Sequence, residues 1–168
     1  MSQEDSETES YKAEDKLSSL QQALQDVLPD AKFPNPKTVV AGALDADKVA
    51  RLAESGVDVV FNLQPEEELE FAEAEAVEAN GMTYEHLPIG DANDLKQVNL
   101  LNFDRILRQH QGKTMLIHCK SGNRVGACMA LRAGWLRGRK MDTAIEQGKE
   151  HGLTGLEDEV FNRLLVPR

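Results

Sequence analysis

The sequence contains few cysteines and no long apolar run. Only Cys119 and Cys128 are cysteines among its 168 residues, which is too few for a disulfide framework and favours a reducing compartment. The longest apolar run is far too short to span a membrane. The first seven residues, Met-Ser-Gln-Glu-Asp-Ser-Glu, have neither the basic nor the apolar region of a signal peptide. These absences predict a cytoplasmic protein that makes no contact with membrane.

The histidines and acidic residues do not follow the spacing of metal ligands. The four histidines are His86, His110, His118 and His151. No second cysteine lies close enough to Cys119 for a zinc knuckle. The run that begins at Asp91 is not a calcium loop, because Asn102 stands where a bidentate acid is needed. We therefore predict no metal and no cofactor.

Negative charge is unevenly distributed along the chain. The net charge is −10, but the stretch from Lys113 to Lys140 contains no Asp or Glu. A local positive field there would attract anionic substrates, whereas the acidic remainder opposes binding to nucleic acid. The last four cations of this stretch are predicted to be the solvated end of a helix: Arg132, Arg137, Arg139 and Lys140.

The N-terminal part of the chain differs in composition from the rest. Residues 1–11 are acidic and serine-rich and are predicted to be disordered. In residues 12–35, leucines and valine at helical spacing between Leu17 and Leu28 predict an extra amphipathic helix, which would dock on the domain or on a partner. An extended linker over 33–36 follows it. We assign 36–164 to one domain, and residues 165–168 have the sequence of a thrombin-cleavable tag remnant.

Residues 36–164 alternate between strand and helix patterns. Apolar runs predict strands over 39–41, 57–63, 83–87 and 115–117, with helices between and after them. The helix over 95–110 is expected to bury Val98, Leu101, Ile106 and Leu107. This alternation predicts an α/β fold with a mainly parallel central sheet flanked by helices. The loops after Leu63, Leu87 and Ile117 should then converge beyond the carboxyl ends of the strands.

The strongest chemical signal is the run from Lys113 to Cys128. A short buried strand ends at His118 and Cys119, and a tight loop of Lys120, Ser121, Gly122 and Asn123 leads into a helix. Backbone N–H groups and the positive end of the helix dipole would meet at Cys119, bind an anion and favour the thiolate. Arg124 adds a planar fork for two oxygens. The pattern indicates a cradle for a tetrahedral anion around a nucleophilic cysteine.

This motif resembles the signature of tyrosine and dual-specificity phosphatases. His118, Cys119 and Gly122 match it in register, while Arg124 comes one residue early and Val125 stands in place of Ser or Thr. The whole run is most similar to the bacterial phosphatase-like domain of the beta-lactamase-hydrolase-like protein family, and the resemblance spans about residues 36–163. It implies a cysteine-phosphatase-like fold, in which His118 supports the loop.

The resemblance also implies the general acid. The run from Tyr84 to Asp91 is similar to the segment of dual-specificity phosphatases that supplies an aspartic acid to protonate the leaving group. Asp91 is the first candidate and Asp94 the second. Cys128, on the helix after the loop, is expected to be a small buried thiol.

The resemblance implies a cysteine-dependent phosphatase that hydrolyses a phosphate monoester through a phosphocysteine. Its substrate would be a phosphorylated protein or a small phosphate ester, and Val125 predicts slow turnover because it has no hydroxyl group. Two alternatives stay open. The short loop is also similar to that of rhodanese sulfurtransferases, in which Cys119 would carry a persulfide, and a weakly active anion-binding module would need the same cradle.

Overall fold

A five-stranded sheet runs through the centre of the computed structural model, which describes residues 18–166. Its strands are β1 (Lys32–Asn35), β2 (Thr38–Ala41), β3 (Val59–Asn62), β4 (Thr83–His86) and β5 (Met115–His118). Their order is β1-β2-β5-β3-β4, and only the β1–β2 pair is antiparallel. The predicted α/β fold with a mainly parallel central sheet is confirmed.

Helices connect the strands and cover both faces of the sheet. They are α1 (Ser19–Leu24), α2 (Ala46–Glu54), α3 (Glu73–Ala79), α4 (Gln97–Gln109), α5 (Asn123–Leu131), α6 (Met141–Glu150) and α7 (Glu157–Leu164). Short 3-10 helices span Glu66–Glu68 and Ala92–Asp94, and a π-helical turn over Arg132–Leu136 extends α5. Between residues 18 and 166, no helix is long and apolar enough to cross a bilayer.

Strand β5 separates two hydrophobic clusters. Side chains alternate between the two faces of a strand, so Leu116 packs with Val49 and Leu52 of α2 on one face. Ile117 packs on the other face with residues of α4 and α5, such as Phe103. Because β5 is buried on both sides, its carboxyl end and the loop that follows are held in a fixed position.

The N-terminal helix docks on the domain. Ser18 caps α1, since its hydroxyl accepts a hydrogen bond from the Gln21 N–H at 3.1 Å. Leu20, Leu24 and Leu28 are buried in the cluster that contains α2. Helix α1 therefore covers one face of the sheet. The predicted tail over 1–11, the start of the predicted helix over 12–28 and the last two residues of the predicted tag remnant lie outside the described residues.

Two local predictions differ from the structure. The segment expected to be a linker contributes the edge strand β1, which pairs with β2. On α4 the predicted apolar side was right for Ile106 and Leu107, which lie in or against the core. It was wrong for Val98 and Leu101, which are 56% and 48% exposed, whereas Leu100 and Phe103 are fully buried. Both sets follow helical spacing, so the spacing alone could not decide which one faces the core.

Candidate active site

The segment after β5, residues 119–124, is held by the end of β2; we call it the catalytic loop. The Cys119 N–H donates to the Ala41 carbonyl at 3.4 Å, and the Ala43 N–H donates to the Lys120 carbonyl at 3.2 Å. Between them, a Cβ on Gly42 would lie only 2.7 Å from that carbonyl oxygen. The loop therefore needs glycine at position 42 for its backbone to approach β2 this closely.

Cys119 lies at the bottom of the catalytic loop and is fully buried. Its Sγ accepts a hydrogen bond from the Gly122 N–H at 3.0 Å. Gly122 has a φ of +90°, and α5 begins at the next residue. An N–H group and the positive end of a helix both attract negative charge, so the position suits a bound anion.

Arg124 joins the catalytic loop to the loops that follow β3 and β4. Its Nη2 lies 2.8 Å from Oε1 of Glu68, and its Nη1 lies 3.2 Å from Oε2 of the same carboxylate. Nη1 also donates to the Ile89 carbonyl at 2.7 Å. The three loops predicted to converge beyond the strand ends therefore meet at one guanidinium group.

The Glu68–Arg124 pair is electrostatically favourable. The hydrogen bond from Arg124 lowers the pKa of Glu68, and this effect outweighs the partial burial of the carboxyl group, which would raise it. Glu68 thus stays ionised and Arg124 stays paired throughout the neutral pH range.

Arg124 keeps one edge of its guanidinium group unpaired. Glu68 and Ile89 together occupy Nη1 and one hydrogen of Nη2. Nε–H and the second Nη2 hydrogen form no hydrogen bond with any residue between 18 and 166. These two donors point in nearly the same direction and match the spacing of two oxygens of a phosphate group.

His118 forms a buried pair with Glu73 of α3. Nε2 of His118 lies 2.6 Å from Oε2 of Glu73, and neither side chain is exposed to solvent. Nδ1 of His118 lies 3.3 Å from the Cys119 carbonyl. Both partners are hydrogen-bond acceptors, so either ring nitrogen can donate to its partner when it carries a proton. His118 thus links the backbone of Cys119 to α3.

The two candidate acids lie in the loop after β4 and make different contacts. Asp91 is exposed, and its Oδ1 accepts a hydrogen bond from the Asn93 N–H at 2.8 Å. Oδ2 of Asp94 accepts from the Gly90 N–H at 2.7 Å, which fixes the turn that follows Ile89. Each carboxylate therefore has one oxygen free of hydrogen bonds to the described part of the chain, but Asp91 is exposed whereas Asp94 is half-buried.

The remaining catalytic-loop residues divide into two groups. Lys120 and Ser121 are exposed, and their backbone N–H groups have no partner within residues 18–166. Asn123 instead holds the segment before α7, since its Oδ1 accepts from the N–H groups of Thr154 at 2.9 Å and Leu156 at 3.2 Å. The loop therefore has free N–H donors at Lys120 and Ser121 and is hydrogen-bonded to the rest of the domain at Asn123.

The residues after the catalytic loop are part of the core. Val125 and Cys128 are fully buried. Burial strongly raises the pKa of the Cys128 thiol, and the neighbouring Cys119 raises it further. Cys128 is thus the small buried thiol that its place on the helix predicts, and Val125 presents no hydroxyl group to Cys119.

A cavity of about 350 Å³ opens beside the catalytic loop. Its polar lining consists of Lys120, Gln64 and three glutamates (Glu67, Glu68 and Glu70), and Leu44 and Phe71 are among its apolar side chains. Across residues 18–166, no group of three or more His, Cys, Asp and Glu side chains is arranged to hold a metal ion. Polar contacts to a ligand here would come from the loop backbone and from the few charged side chains around it.

Sequence reasoning missed two acidic residues of this site. Glu68 belongs to the acidic run from Glu66 to Glu70, in which nothing distinguishes it from its neighbours. The convergence of the loop after β3 on Cys119 was the available signal, since an acid there could reach Arg124. Glu73 gave no such signal, because its burial against His118 depends on how α3 packs on the sheet.

Solved structures of phosphatases have the same fold. A DUF442 protein from Shewanella putrefaciens CN-32 superposes with a TM-score of 0.66 at 22% identity, covering 86% of this chain and 95% of its own. Tk-PTP in its active form has a TM-score of 0.63 at 24% identity, with coverages of 81% and 96%. TpbA from P. aeruginosa in complex with pTyr has a TM-score of 0.58 at 19% identity, with coverages of 77% and 78%.

Sequence comparison shows the family. No curated protein sequence matches the chain significantly. The sequence model described as the DSP-PTPase phosphatase of polymorphic toxin systems matches residues 37–138, which is more than half of the chain. This range contains the whole catalytic loop, both candidate acids and the Glu68–Arg124 and His118–Glu73 pairs. The chain therefore belongs to the DSP-PTPase phosphatase family of polymorphic toxin systems, a dual-specificity and tyrosine-phosphatase-like group.

Proposed function

We propose that this phosphatase hydrolyses a phosphate monoester through a phosphocysteine on Cys119. The observation that carries the proposal is the set of donors around Sγ. The Gly122 N–H points at the sulfur, and the unpaired edge of Arg124 comes from the same loop. The family to which the chain belongs supports phosphate as the anion.

The reaction has two steps. In the first, the Cys119 thiolate attacks phosphorus, an S–P bond forms and the ester P–O bond breaks. The leaving oxygen takes a proton from Asp91. In the second, water attacks phosphorus, its proton passes to the Asp91 carboxylate, and the S–P bond breaks to release inorganic phosphate and the thiolate. Each step leaves the enzyme with the protons it needs for the next.

The catalytic loop holds the phosphoryl oxygens in this proposal. The unpartnered N–H groups of Lys120 and Ser121, with those of Gly122 and Asn123 and the free edge of Arg124, surround the transferring group. Such donors stabilise charge that develops in the transition state. Val125 cannot donate a hydroxyl hydrogen bond to the departing sulfur, so hydrolysis of the phosphocysteine should be slow.

We assign the general acid to Asp91 because its carboxylate is exposed, whereas that of Asp94 is half-buried and holds the turn. The carboxylate of Asp94 fixes the Gly90 N–H, so protonating Asp94 would weaken the turn. Asp91 lies two residues after Ile89, whose carbonyl contacts Arg124. Its free oxygen is therefore on the loop that already touches the anion-binding fork.

The proposed substrate is a phosphorylated protein or a small phosphate ester. The structurally similar TpbA was crystallised in complex with pTyr. Because Cys119 is buried, we place the entry of the phosphate at the cavity beside the catalytic loop, where Lys120 is the cation among the lining residues. Phe71 and Leu44 would then contact the apolar part of the substrate.

Parallel turnover assays with two substrates test this function. Wild type should hydrolyse an aryl phosphate and should not transfer sulfur from thiosulfate to cyanide. Cys119→Ser should lose phosphate hydrolysis, because a neutral hydroxyl replaces the thiolate, whereas Cys128→Ser should keep most of it. Wild-type activity in Cys119→Ser would contradict covalent catalysis, and robust thiosulfate activity without phosphate hydrolysis would favour a sulfurtransferase.

A further inference from the structure

A second cavity lies away from the catalytic loop, on the side of the sheet covered by α4, α5 and α6. It has a volume of about 430 Å³, and none of the catalytic-loop residues 119–124 lines it. It lies between the start of β2, the turn that joins α4 to β5, and the ends of α4 and α6. We call it the distal groove. Its size lies within the range of small-molecule sites in proteins.

The base of the distal groove is apolar. Leu107 of α4, Met115 and Ile117 of β5 and Met129 of α5 line it. Three of these side chains belong to the buried cluster on this face of the sheet, and Leu107 packs against them. The groove therefore exposes a small part of the hydrophobic core to whatever enters it.

The rim of the distal groove is cationic. Lys37, Lys113 and Arg132 line it, and none of its described lining residues is Asp or Glu. In a chain with a net charge of −10, this composition is unusual. Arg132 is neutralised by Asp104 at 2.8 Å, but neither lysine forms an ion pair with a residue between 18 and 166. Lys37 is instead held at the rim, since its Nζ donates to the Gly112 carbonyl at 2.8 Å.

A buried histidine adds an unsatisfied polar atom beside this rim. His110 lines the groove and is only 7% exposed. Its Nε2 lies 2.6 Å from Oε2 of Glu85, but its buried Nδ1 has no hydrogen-bond partner within the described chain. Buried polar atoms without a partner are rare in folded proteins. This one belongs to a residue that lines the groove.

We propose that the distal groove binds a small anionic amphiphile, a molecule with one carboxylate or phosphate group and a short apolar chain. The anionic group would lie between Lys37 and Lys113, and the chain would lie on Met115, Ile117 and Met129. Charge complementarity selects the anion, because an uncharged or cationic amphiphile would meet the same apolar base but not the lysines. We propose a dissolved small molecule as the ligand and not a lipid in a membrane, since the apolar base lies at the bottom of a groove and not on an open surface.

Methyl-detected NMR with octanoate as the probe tests the proposal. Octanoate should shift the methyl signals of Met115, Ile117 and Met129 saturably, and octyl phosphate should do the same. Octanol and octyltrimethylammonium should bind at least about tenfold more weakly, because they lack the charge contribution of two lysines. Equal binding of octanol, or shifts confined to the catalytic loop, would overturn the proposal.

Charge variants assign the effect to the rim. The double variant Lys37→Gln, Lys113→Gln should weaken octanoate binding by about tenfold. Lys96→Gln, Lys140→Gln removes the same charge elsewhere and should leave binding within about twofold of wild type. Similar losses in both variants would mean a nonspecific charge effect and would overturn the assignment. Binding only to vesicles of anionic lipid, without saturable binding of free octanoate, would replace the small ligand with a membrane surface.

The proposal is independent of the catalytic function. Cys119→Ser should bind octanoate as wild type does, because the catalytic loop does not line the groove. If Cys119→Ser retains the methyl shifts while losing turnover, the two sites are separate. If the shifts disappear with Cys119→Ser in a protein that keeps its fold, the octanoate site is the catalytic cradle and the distal groove is not a ligand site.

Discussion

The carboxylate of Glu68 binds the end of the Arg124 guanidinium group and leaves its side edge unpaired. The two contacts, at 2.8 Å and 3.2 Å, involve the two Nη atoms, and Nε is not used. A phosphate can therefore bind Nε and Nη2 without displacing Glu68. The pair fixes the orientation of Arg124 before substrate arrives, and this reduces the entropy lost when the transition state forms.

Glu68→Gln should lower kcat by about 10- to 100-fold, because Arg124 loses the charged partner that orients its side chain. KM should change much less. Glu66→Gln, at an exposed position of the same short helix that does not line the cavity, is the matched control and should behave like wild type. Steady-state kinetics with an aryl phosphate measures both constants. Higher activity in Glu68→Gln would show that Glu68 competes with phosphate for Arg124.

Gly152→Ala should impair the catalytic loop from outside. A Cβ at this position would lie 2.9 Å from the carbonyl oxygen of Gly122, and the residue has a φ of +100°. Displacing Gly122 would move the N–H group that donates to Cys119. We expect a loss of about tenfold or more in kcat/KM, since small misplacements of catalytic groups are costly.

Gly112→Ala is the matched control for this prediction. Gly112 has a φ of +90°, but a Cβ there would meet nothing within 4 Å. Both variants carry similar backbone strain, of about 1 kcal/mol, so a comparison of kcat/KM at equal folded fractions separates strain from contact with the loop. Equal losses in the two variants would mean that Gly152 does not position Gly122.

Asp91→Asn should slow aryl phosphates with poor leaving groups far more than those with good ones, because good leaving groups need little protonation. The variant should also lose the limb of the pH–rate profile that depends on a protonated acid. Asp94→Asn, which removes a carboxylate from the same loop, is the comparison. If Asp94→Asn shows the leaving-group dependence instead, the proposed reaction still holds and Asp94 is the general acid.

Asp104 should make stability depend on pH. Its carboxylate accepts hydrogen bonds from Arg108, Arg132 and Arg137 at 2.8, 2.8 and 2.6 Å. Burial raises the pKa of Asp104, but the hydrogen bonds and charges of these arginines outweigh it and hold the pKa below its ordinary value. The stabilisation is therefore present above the unfolded pKa of about 3.9 and is lost as pH falls through the folded pKa.

Asp104→Asn should cost about 2–4 kcal/mol in the free energy of unfolding at pH 7, and the difference from wild type should shrink below about pH 4. Urea denaturation at several pH values measures this difference. Asp30→Asn, at an exposed position, should change stability by less than about 0.5 kcal/mol at every pH. A gap between Asp104→Asn and wild type that is independent of pH would contradict the electrostatic account.

The fold and the loop around Cys119 could be predicted because both depend on local pattern. Alternating strand and helix runs are enough to predict a mainly parallel sheet, and the short run from His118 to Arg124 contains the chemistry of the cradle. The contacts of the cations that follow α5 were not predicted. Arg132 and Arg137 were expected to be solvated, but they bind Asp104, a residue far away in sequence.

The partners of Arg124 and His118 could not be predicted, because they depend on tertiary packing. Glu68 reaches Arg124 from 56 positions away in sequence, and Glu73 reaches His118 from 45 positions away. The acidic segment after a turn at 64–66 was predicted to be one helix that ends at about residue 80, but the structure breaks it into Glu66–Glu68 and α3. That break allows the Glu68 carboxylate to face the catalytic loop and the Glu73 carboxylate to enter the core.

Trapping of the reaction intermediate tests the central claim most directly. Wild-type enzyme would be mixed with an aryl phosphate, quenched with acid within the first turnovers and digested for mass spectrometry. The account predicts that the peptide containing Cys119 gains the mass of one HPO₃ group, that Asp91→Asn still forms this adduct with a good leaving group, and that Cys119→Ser does not form it. Rapid hydrolysis of the ester with no adduct on Cys119 at any quench time, or with an adduct on another residue, would contradict it.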